Sequence, residues 1–364
     1  GMLLEHLVDL GKGSPEAPLT IDDLDGFYRA ARAKFDGDEK FQERARRRVV
    51  ALQGGDAVSL ALWKKLCAES RRYFATSYER LGVTLKDADV AGESSFGGEL
   101  PEIVGTLEKG GFAKEDQGAL CVFPPGFSGK DGAPMPLIIR KSDGGYGYAT
   151  TDLAAIRYRL QKLGGTRLVY VVGAPQSQHL AMIFATAKMV GWLAPPARAE
   201  HVAFGSVLGP DKKMFKTRSG ETVKLASLID EAEERALKVV AEKNPELDPE
   251  TQRKNARIIG VGAIKYADLS SDRIKDYVFD WNRMLSFEGN TAPYLMYAHA
   301  RIRSILRKAA AAGDEPSGAI TLEAPQERAL ALALVQLEGT LDRAADACPP
   351  HRVCTYLYDV ASAF

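Results

Sequence analysis

Four side chains in the middle of the chain offer the groups that would bind a small cation beside a nucleotide. Tyr148 and Asp152 lie four residues apart in DGGYGYATTDLAAIRYRL, and Gln176 and His179 lie three apart in LVYVVGAPQSQHL. A carboxylate can pair with a planar guanidinium through two hydrogen bonds, and a tyrosine can complete such a site. An amide can hydrogen-bond an amino acid, and a neutral imidazole can contact a nucleotide. The same spacing also fits a structural role. In that role Asp152 is only a favourable acid at a helix start, Tyr148 packs beside it, and Gln176 and His179 hydrogen-bond the backbone at the next helix start.

A basic loop follows in the sequence DKKMFKTRSG. It places Lys213 and Lys216 three residues apart between glycine-containing segments. Two ammonium groups on such a loop could stabilise phosphates that develop charge in a transition state. A solvated basic loop tip is the commoner role of this kind of sequence, so both interpretations stay open on the residues alone.

The elements that must position these residues form an α/β pattern. LIIRKS, LVYVVG and EHVAFGSVL predict short strands, and helical stretches near 151–163 and 176–192 separate them. This alternation predicts parallel βαβ units with right-handed crossovers. Ligands of such sheets bind beyond the carboxyl ends of the strands. Tyr148, Gln176 and Lys213 all follow predicted strands, so we expect them at that edge.

The helix after Tyr148 has two candidate capping residues. Thr150 or Thr151 can cap it, and Asp152 would then lie in its first turn. The helix dipole stabilises a carboxylate at that position, which would keep Asp152 ionised.

Helix periodicity dominates both flanks of this region. On the N-terminal side the pattern predicts helices over 1–10, from Thr20 as a cap through DDLDGFYRAARAKF, over about 38–53 and over about 56–81. On the C-terminal side it predicts helices over 225–242, 250–267, 292–311, 325–346 and 351–364.

The composition is that of an ordinary globular protein. The chain has 364 residues, enough for two or three domains, with 45% hydrophobic and 26% charged residues. No apolar run approaches the roughly 18–20 residues that span a bilayer, and the N-terminal segment has no basic leader. Four scattered cysteines without a C-x-x-C pair predict a reducing compartment, hence the cytoplasm. Lysine plus arginine and aspartate plus glutamate each number 48, so contacts to RNA would have to come from local patches.

Two arginine-rich helix faces are candidates for such patches. The first is QERARRRVV, with Arg44, Arg47 and Arg48 on one helix side. The second is ARIRSILRK, in which Arg303 and Arg307 lie four residues apart and Arg301 and Lys308 lie seven apart. Either face could contact RNA phosphates, and either could instead be a solvated surface with glutamate partners. The spacing Cys348-x2-His351-x2-Cys354 offers zinc-ligand types, but no fourth ligand is evident, so no protein-bound metal is expected.

Taken together, these stretches resemble arginyl-tRNA synthetase, a class I aminoacyl-tRNA synthetase. SDGGYGYATTDLAAIRYRL is similar to the family's signature around the arginine pocket, and YVVGAPQSQHL to the strand and helix that follow. KMFKTRSG resembles the class I Lys-Met-Ser-Lys-Ser loop, with Phe215 and Thr217 where serines usually stand. FDWNRMLSFEGNTAPYLMYAHARIRSIL resembles the entry to the family's helical anticodon-binding domain. The resemblance covers nearly the whole chain.

The resemblance implies a role for each candidate residue. Tyr148, Asp152 and Gln176 would bind arginine, with Asp152 on the guanidinium. The residues expected to contact ATP are His179, Lys213, Met214 and Lys216, of which the two lysines would be catalytic. Arg301, Arg303 and Arg307 would bind RNA. The implied reaction uses ATP with Mg²⁺ as substrate, activates arginine to arginyl-adenylate and transfers the arginyl group to tRNA(Arg), with no tightly bound metal and no membrane partner.

The resemblance also predicts the domain organisation. It implies an α/β fold in which a Rossmann-like, parallel-sheet catalytic domain over 1–285, with a helical insertion at about 20–130, precedes an α-helical anticodon-binding domain over 286–364. Nothing in the chain matches the class I His-x-Gly-His element, and GMLLEHLVDLG is similar to the segment just after it. We therefore expect an internal portion of the synthetase, with an incomplete nucleotide site, a partial anticodon domain and no activity by itself.

Two other classes of protein remain as alternatives. A non-catalytic paralogue that binds arginine or RNA would fit the missing element but has no need of the Lys213/Lys216 loop. A helical scaffold protein would leave the Tyr–Asp–Gln–His set without a role.

Overall fold

The computed structural model describes residues 1–14, 16, 19–21, 23–209, 211–213, 223–314 and 319–364. The chain divides into two compact units, Gly1–Asp89 and Val90–Phe364. None of the helices in the described ranges is long and apolar enough to cross a membrane.

The first unit is entirely helical. Its elements are α1 Met2–Asp9, α2 Leu24–Gly37, α3 Glu39–Gln53, α4 Ala57–Leu81 and a short 3-10 helix at Asp87–Asp89. The four predicted helices are present, but the predicted cap at Thr20 is wrong. Helix α2 begins at Leu24 with Asp23 at its N-cap position, so the Thr20 hydroxyl lies too far before the first free amides.

The arginines of α3 are committed to carboxylates inside this unit. Glu5 of α1 is buried, and its carboxylate pairs with Arg48 at 2.7 Å and with Arg44 at 3.3 Å. Arg47 pairs with Glu43 one turn earlier on α3. Because a buried glutamate requires partners, the structure favours the structural interpretation of this arginine-rich face over phosphate binding.

The second unit begins with a mixed α/β region. Its elements up to residue 213 are a 3-10 helix Glu93–Glu99, α5 Leu100–Lys109, β1 Ala113–Asp116, β2 Ala119–Val122, β3 Leu137–Arg140, α6 Tyr148–Gln161, β4 Arg167–Gly173, a 3-10 helix Ala174–Gln176, α7 Ser177–Met189, β5 Arg198–Phe204 and β6 Val207–Leu208. The remainder is helical apart from one short strand. It comprises α8 Leu225–Lys243, α9 Pro249–Ser270, β7 Tyr277–Val278, α10 Trp281–Met284, α11 Ala292–Ala311, α12 Pro325–Leu334, α13 Leu337–Ala347 and α14 Pro350–Ala363.

One of the predicted parallel units is confirmed. Strands β4 and β5 pair in parallel from Arg167↔Arg198 to Gly173↔Phe204, and α7 lies between them in sequence. Strands β6 and β7 form a second, short parallel pair.

The place predicted for β3 in the parallel sheet is wrong. Strand β3 pairs antiparallel with β2, which forms a hairpin with β1. The hairpin turns at Gln117 and Gly118, which both have positive φ (47° and 78°), as a two-residue turn between twisted strands requires. The segment predicted as a helical insertion up to about residue 130 is therefore helical only as far as Lys109 and continues as strands.

The core of the α/β region surrounds α6. Its buried side chains Leu153 and Ile156 pack in one cluster with Ile103 of α5, Ile139 of β3 and Ile183 of α7. Burying each such side chain contributes about 1.5–3 kcal/mol, so this cluster determines where the start of α6 lies.

The helix predicted over 325–346 is two helices. Helix α12 ends at Leu334 and α13 begins at Leu337. The two residues at the break are Val335 and Gln336, neither of which is a proline or a glycine. The Gln336 amide donates to the carbonyl of Ala333, a tight i to i−3 turn that keeps helical dihedral angles. The apolar period continues across the break, so the sequence pattern alone predicts one helix.

Two arginines, Arg273 from the segment between α9 and β7 and Arg167 from β4, close the carboxyl end of α13. Arg273 donates from Nε to the Cys348 carbonyl at 2.9 Å and from Nη2 to the Ala347 carbonyl at 3.1 Å. It also donates from Nη1 to the Ala203 carbonyl of β5 at 2.8 Å. The last carbonyls of a helix have no partner within the helix, and a cation there is favoured by the dipole.

Arg167, the first residue of β4, completes this clamp. It donates to the carbonyls of Ala345 and Asp346, each at 2.6 Å, and forms two bonds of 2.9 Å to the Glu200 carboxylate. The hydrogen bonds from Arg167 lower the pKa of Glu200. The clamp, formed by Arg167 and Arg273, joins the C-terminal helices to the β4–β5 sheet.

We predict that Arg273→Ala loosens this junction. Loss of the charged donor should cost about 1.5–3 kcal/mol of unfolding free energy, because three carbonyls are left without their donor. Hydrogen exchange followed by mass spectrometry should become faster in peptides that cover α13. Lys275→Ala is the matched control, since that side chain is 79% exposed and lies 3.9 Å from Asp272. Equal exchange in the two variants would contradict the assignment.

Candidate active site

Helix α6 begins directly at Tyr148. Gly147 stands at the N-cap position, and no side chain caps the helix. The hydroxyl of Thr150 donates to the Ile139 carbonyl of β3, and that of Thr151 donates to the Gly147 carbonyl at 3.4 Å. The predicted threonine cap is therefore wrong, because both hydroxyls serve as donors to carbonyls and not as acceptors from the first amides.

The early start of α6 also moves Asp152. With Tyr148 as the first helical residue, Asp152 lies in the second turn and not in the first, so the prediction that the dipole stabilises its charge at the helix start is wrong. Tyr148 and Asp152, at i and i+4, lie one turn apart on the same side of α6. Tyr148 is 73% exposed, whereas the Asp152 side chain is 35% exposed and therefore half-buried.

The second half of the candidate site follows β4. Gln176 ends the 3-10 helix and occupies the N-cap position of α7, where its exposed side chain forms no capping bond. His179 follows three residues later, and its side chain is 28% exposed. The predicted location of both residues at the start of this helix is confirmed, but His179 does not bond the backbone as the structural alternative required.

His179 bonds Asp152 instead. The distance from His179 Nε2 to Asp152 Oδ2 is 2.6 Å, and the bond joins α7 to α6 across 27 residues of sequence. An ionised carboxylate can only accept, so the imidazole donates through Nε2 and its Nδ1 can remain an acceptor. The sequence pattern assigned these two residues separate roles, and the structure brings them together.

The carboxylate of Asp152 lies apart from the lysines and arginines that the structure describes. Across the described ranges, none of these side chains is within ion-pair distance of it. The two arginines further along α6 bind elsewhere: Arg157 pairs with Glu99 and Glu102, and Arg159 donates to the Tyr170 hydroxyl at 2.9 Å. Burial raises the pKa of Tyr170, and the nearby negative charge of Asp152 adds to the shift, so this hydroxyl stays neutral.

Of the two lysines to which a role is assigned, Lys213 and Lys216, only Lys213 lies within the described residues. Lys213 is exposed and ends a tight turn after β6, in which its carbonyl accepts from the Gly209 amide at 2.8 Å. Its own amide donates to Asp211 Oδ1 at 3.1 Å. Met214 and Lys216 lie outside the described residues.

The three arginines predicted to bind RNA lie on α11. Arg301, Arg303 and Arg307 are exposed, and no carboxylate within the described part of the chain forms an ion pair with them. This face thus differs from that of α3, where glutamates neutralise the arginines.

Cys348, His351 and Cys354 do not form a metal site in the part of the chain that the structure describes. Cys348 Sγ lies 3.7 Å from Arg167 Nη2, while Cys354 is buried. No group of three or more potential ligands is present among the residues that the structure describes.

A cavity of about 290 Å³ lies apart from the candidate site. Its lining comes from α9, β7, α10 and the start of α11, and includes Tyr266, Tyr277 and Asn290. None of the predicted site residues lines it. The Tyr266 hydroxyl within it is already bonded to Asn290 Oδ1 and to the Cys354 carbonyl, at 2.5 and 3.0 Å.

Two family models match the chain. The catalytic-domain model described as tRNA synthetases class I (R) matches residues 1–281, and the DALR anticodon binding domain matches residues 295–364.

Individual proteins agree with these models. The chain is 54% identical over 364 residues to the arginine–tRNA ligase of Thermobifida fusca and 48% identical to that of Cellvibrio japonicus. Both alignments cover 100% of this chain, which spans 63% of the length of each relative. The crystal structure of arginyl-tRNA synthetase from Plasmodium falciparum superposes with a TM-score of 0.80 at 26% identity, covering 100% of this chain and 60% of that one.

The resemblance to arginyl-tRNA synthetase that the sequence predicted is therefore confirmed by these matches. The chain belongs to the class I tRNA synthetase (R) family through its catalytic domain, and this domain is followed by a DALR anticodon binding domain.

Proposed function

We propose that this protein is an arginine–tRNA ligase. In this reaction the carboxylate of arginine attacks the α-phosphorus of ATP, pyrophosphate leaves, and arginyl-adenylate forms. A ribose hydroxyl at the end of tRNA(Arg) then attacks the activated carbonyl carbon, and AMP leaves. The substrates would be arginine, ATP with Mg²⁺ and tRNA(Arg), and the proposed location is the cytoplasm, supported by four scattered free cysteines.

The observation that supports arginine as the substrate is the state of Asp152. Its carboxylate is half-buried, is bonded by a histidine and has no described cationic partner. Other partly buried carboxylates of this unit, such as Glu200, are paired with arginine. A half-buried carboxylate with no described lysine or arginine partner is suited to a cationic ligand. The planar guanidinium of arginine can form two hydrogen bonds with it.

The neighbouring residues suit the rest of an amino acid. Tyr148 lies one turn before Asp152 on the same side of α6, and Gln176 presents an exposed amide, which forms no capping bond, at the start of α7. We propose that Tyr148 and Gln176 complete the arginine site and that the chemistry depends on positioning the reactants.

Phosphate stabilisation is assigned to the basic loop by its sequence. Lys213 is exposed at the end of its turn, so its ammonium group is accessible to a polyphosphate. Lys213, Met214 and Lys216 remain ATP-binding residues of the proposal, with the two lysines stabilising the departing pyrophosphate.

We predict that Asp152→Asn impairs recognition of arginine far more than that of ATP. Removal of one charge from a charge-paired contact costs about 2–5 kcal/mol. Steady-state aminoacylation by the natural full-length protein should show the loss in kcat/KM for arginine, with little change in KM for ATP. Glu115→Gln, the same chemical change at an exposed acid of β1, is the control. Unchanged arginine kinetics in Asp152→Asn would remove the assignment.

Lys216→Ala should lower the rate of adenylate formation by about 100–1,000-fold, since its contact strengthens only as charge develops on the leaving group. Single-turnover adenylate formation measures this step, and Lys212→Gln in the same loop serves as the control. A rate within about twofold of wild type would show that Lys216 does not stabilise the phosphates. The absence of adenylate from the wild-type protein would instead favour the non-catalytic paralogue.

The exposed arginines of α11 should contribute to tRNA affinity. Arg303 and Arg307 are neighbours at i and i+4, and removal of each arginine that binds a phosphate should reduce the slope of log affinity against log salt by about 0.7–0.9. We predict a weaker, less salt-dependent affinity for tRNA(Arg) in the double alanine variant, with an unchanged KM for arginine. Arg47→Ala, which removes an arginine paired with Glu43, should leave the slope alone. An unchanged slope in the double variant would show that this face is only solvated.

A further inference from the structure

We propose that His179 is a positioning residue for arginine recognition, which acts by fixing the carboxylate of Asp152. The inference rests on the proposed function, because it assigns a second residue to the guanidinium site. It differs from the role implied by family resemblance, in which His179 serves the nucleotide.

The geometry of the pair is that of a charge-assisted hydrogen bond. The separation of 2.6 Å between Nε2 and Oδ2 is slightly shorter than the range of about 2.7–2.9 Å that is typical of charge-assisted N–H bonds to carboxylates. Asp152 Oδ2 accepts from His179, and each carboxylate oxygen has two acceptor sites. Both oxygens therefore keep capacity for a guanidinium while His179 stays bonded.

Helices α6 and α7, which carry Asp152 and His179, are both anchored in the same hydrophobic core. Leu153 of α6 and Leu180 of α7 are each adjacent to a member of the pair, and both are buried in the same core cluster. Thr150 ties the first turn of α6 to β3 through the Ile139 carbonyl. With both backbones anchored, the main freedom left to Asp152 is rotation of its side chain, and the bond to His179 removes it.

A histidine is suited to this task because it donates without cancelling charge. A neutral imidazole offers one N–H and leaves the carboxylate with its full negative charge. An arginine in its place would neutralise the site, as Arg157 does for Glu99 and Glu102. The hydrogen bond from His179 therefore orients the carboxylate of Asp152 and keeps it available to a cationic substrate. Less side-chain conformational entropy is then lost when the substrate binds.

The test is the binding of free L-arginine to the natural full-length protein without any nucleotide, measured by calorimetry. His179→Phe removes the donor and keeps a ring, whereas His179→Gln keeps an N–H donor. Gln178→Ala is the matched control, because Gln178 is exposed on the same turn of α7 and contacts Met135.

We expect His179→Phe to weaken arginine binding by about tenfold, a loss typical of one charged hydrogen bond, and His179→Gln to recover most of it. If His179→Phe binds arginine as wild type does without nucleotide, His179 does not position Asp152. If Asp152→Asn also binds arginine normally, the arginine site of the proposed function is wrong as well, which is a different outcome from failure of the His179 role alone.

A measurement that needs no ligand accompanies the binding test. Long-range ¹H–¹⁵N spectra report which ring nitrogen of His179 carries the proton in the neutral form. We expect Nε2–H in the wild type and a loss of this preference in Asp152→Ala. A neutral wild-type ring protonated at Nδ1 could not donate to the carboxylate and would overturn the inference even if His179→Phe failed to fold.

Discussion

The burial of the first turns of α6 is the constraint on which the candidate site depends. From Ala149 to Ile156 every residue is buried except Asp152. Leu153 and Ile156 pack against neighbours on α5, β3 and α7, so the helix cannot turn without breaking the core. Its rotation about its axis is therefore determined by packing, and that rotation brings Asp152 out of the core at the position where α7 presents His179. The location of the carboxylate is thus a consequence of the core as much as of the sequence motif.

Strand β4 connects this site to the C-terminal helices. Its first residue, Arg167, closes the carboxyl end of α13 together with Arg273, and its last residue leads into Gln176 and His179. Seven residues of strand span about 20 Å. Because hydrogen-bonded strands resist bending, β4 fixes the distance between the end of α13, at its first residue, and the start of α7, beyond its last residue. Under the proposed function, that connection would lie between the DALR anticodon binding domain and the part of the chain proposed to bind arginine.

Local pattern predicts much of this fold, and tertiary packing explains the remainder. The runs LVYVVG and EHVAFGSVL were sufficient to predict β4 and β5 with their intervening helix. The hairpin of β1 and β2 escaped prediction because AKEDQGALCV is charged on one strand and turns at Gln-Gly, a weaker turn sequence than Asn-Gly. The bond between Asp152 and His179 depends on the distance between two helices, which periodicity cannot give. The clamp on α13 was also beyond prediction, because its acceptors are backbone carbonyls, and any residue carries one.

The central claim, that Asp152 and His179 form one guanidinium site, is tested most directly by a crystal structure of the natural full-length protein with arginine bound. We expect the guanidinium about 2.7–2.9 Å from the Asp152 carboxylate, with His179 Nε2 still bonded to Oδ2. A guanidinium bound elsewhere, or an arginine that displaces His179 from Asp152 on binding, would contradict this claim.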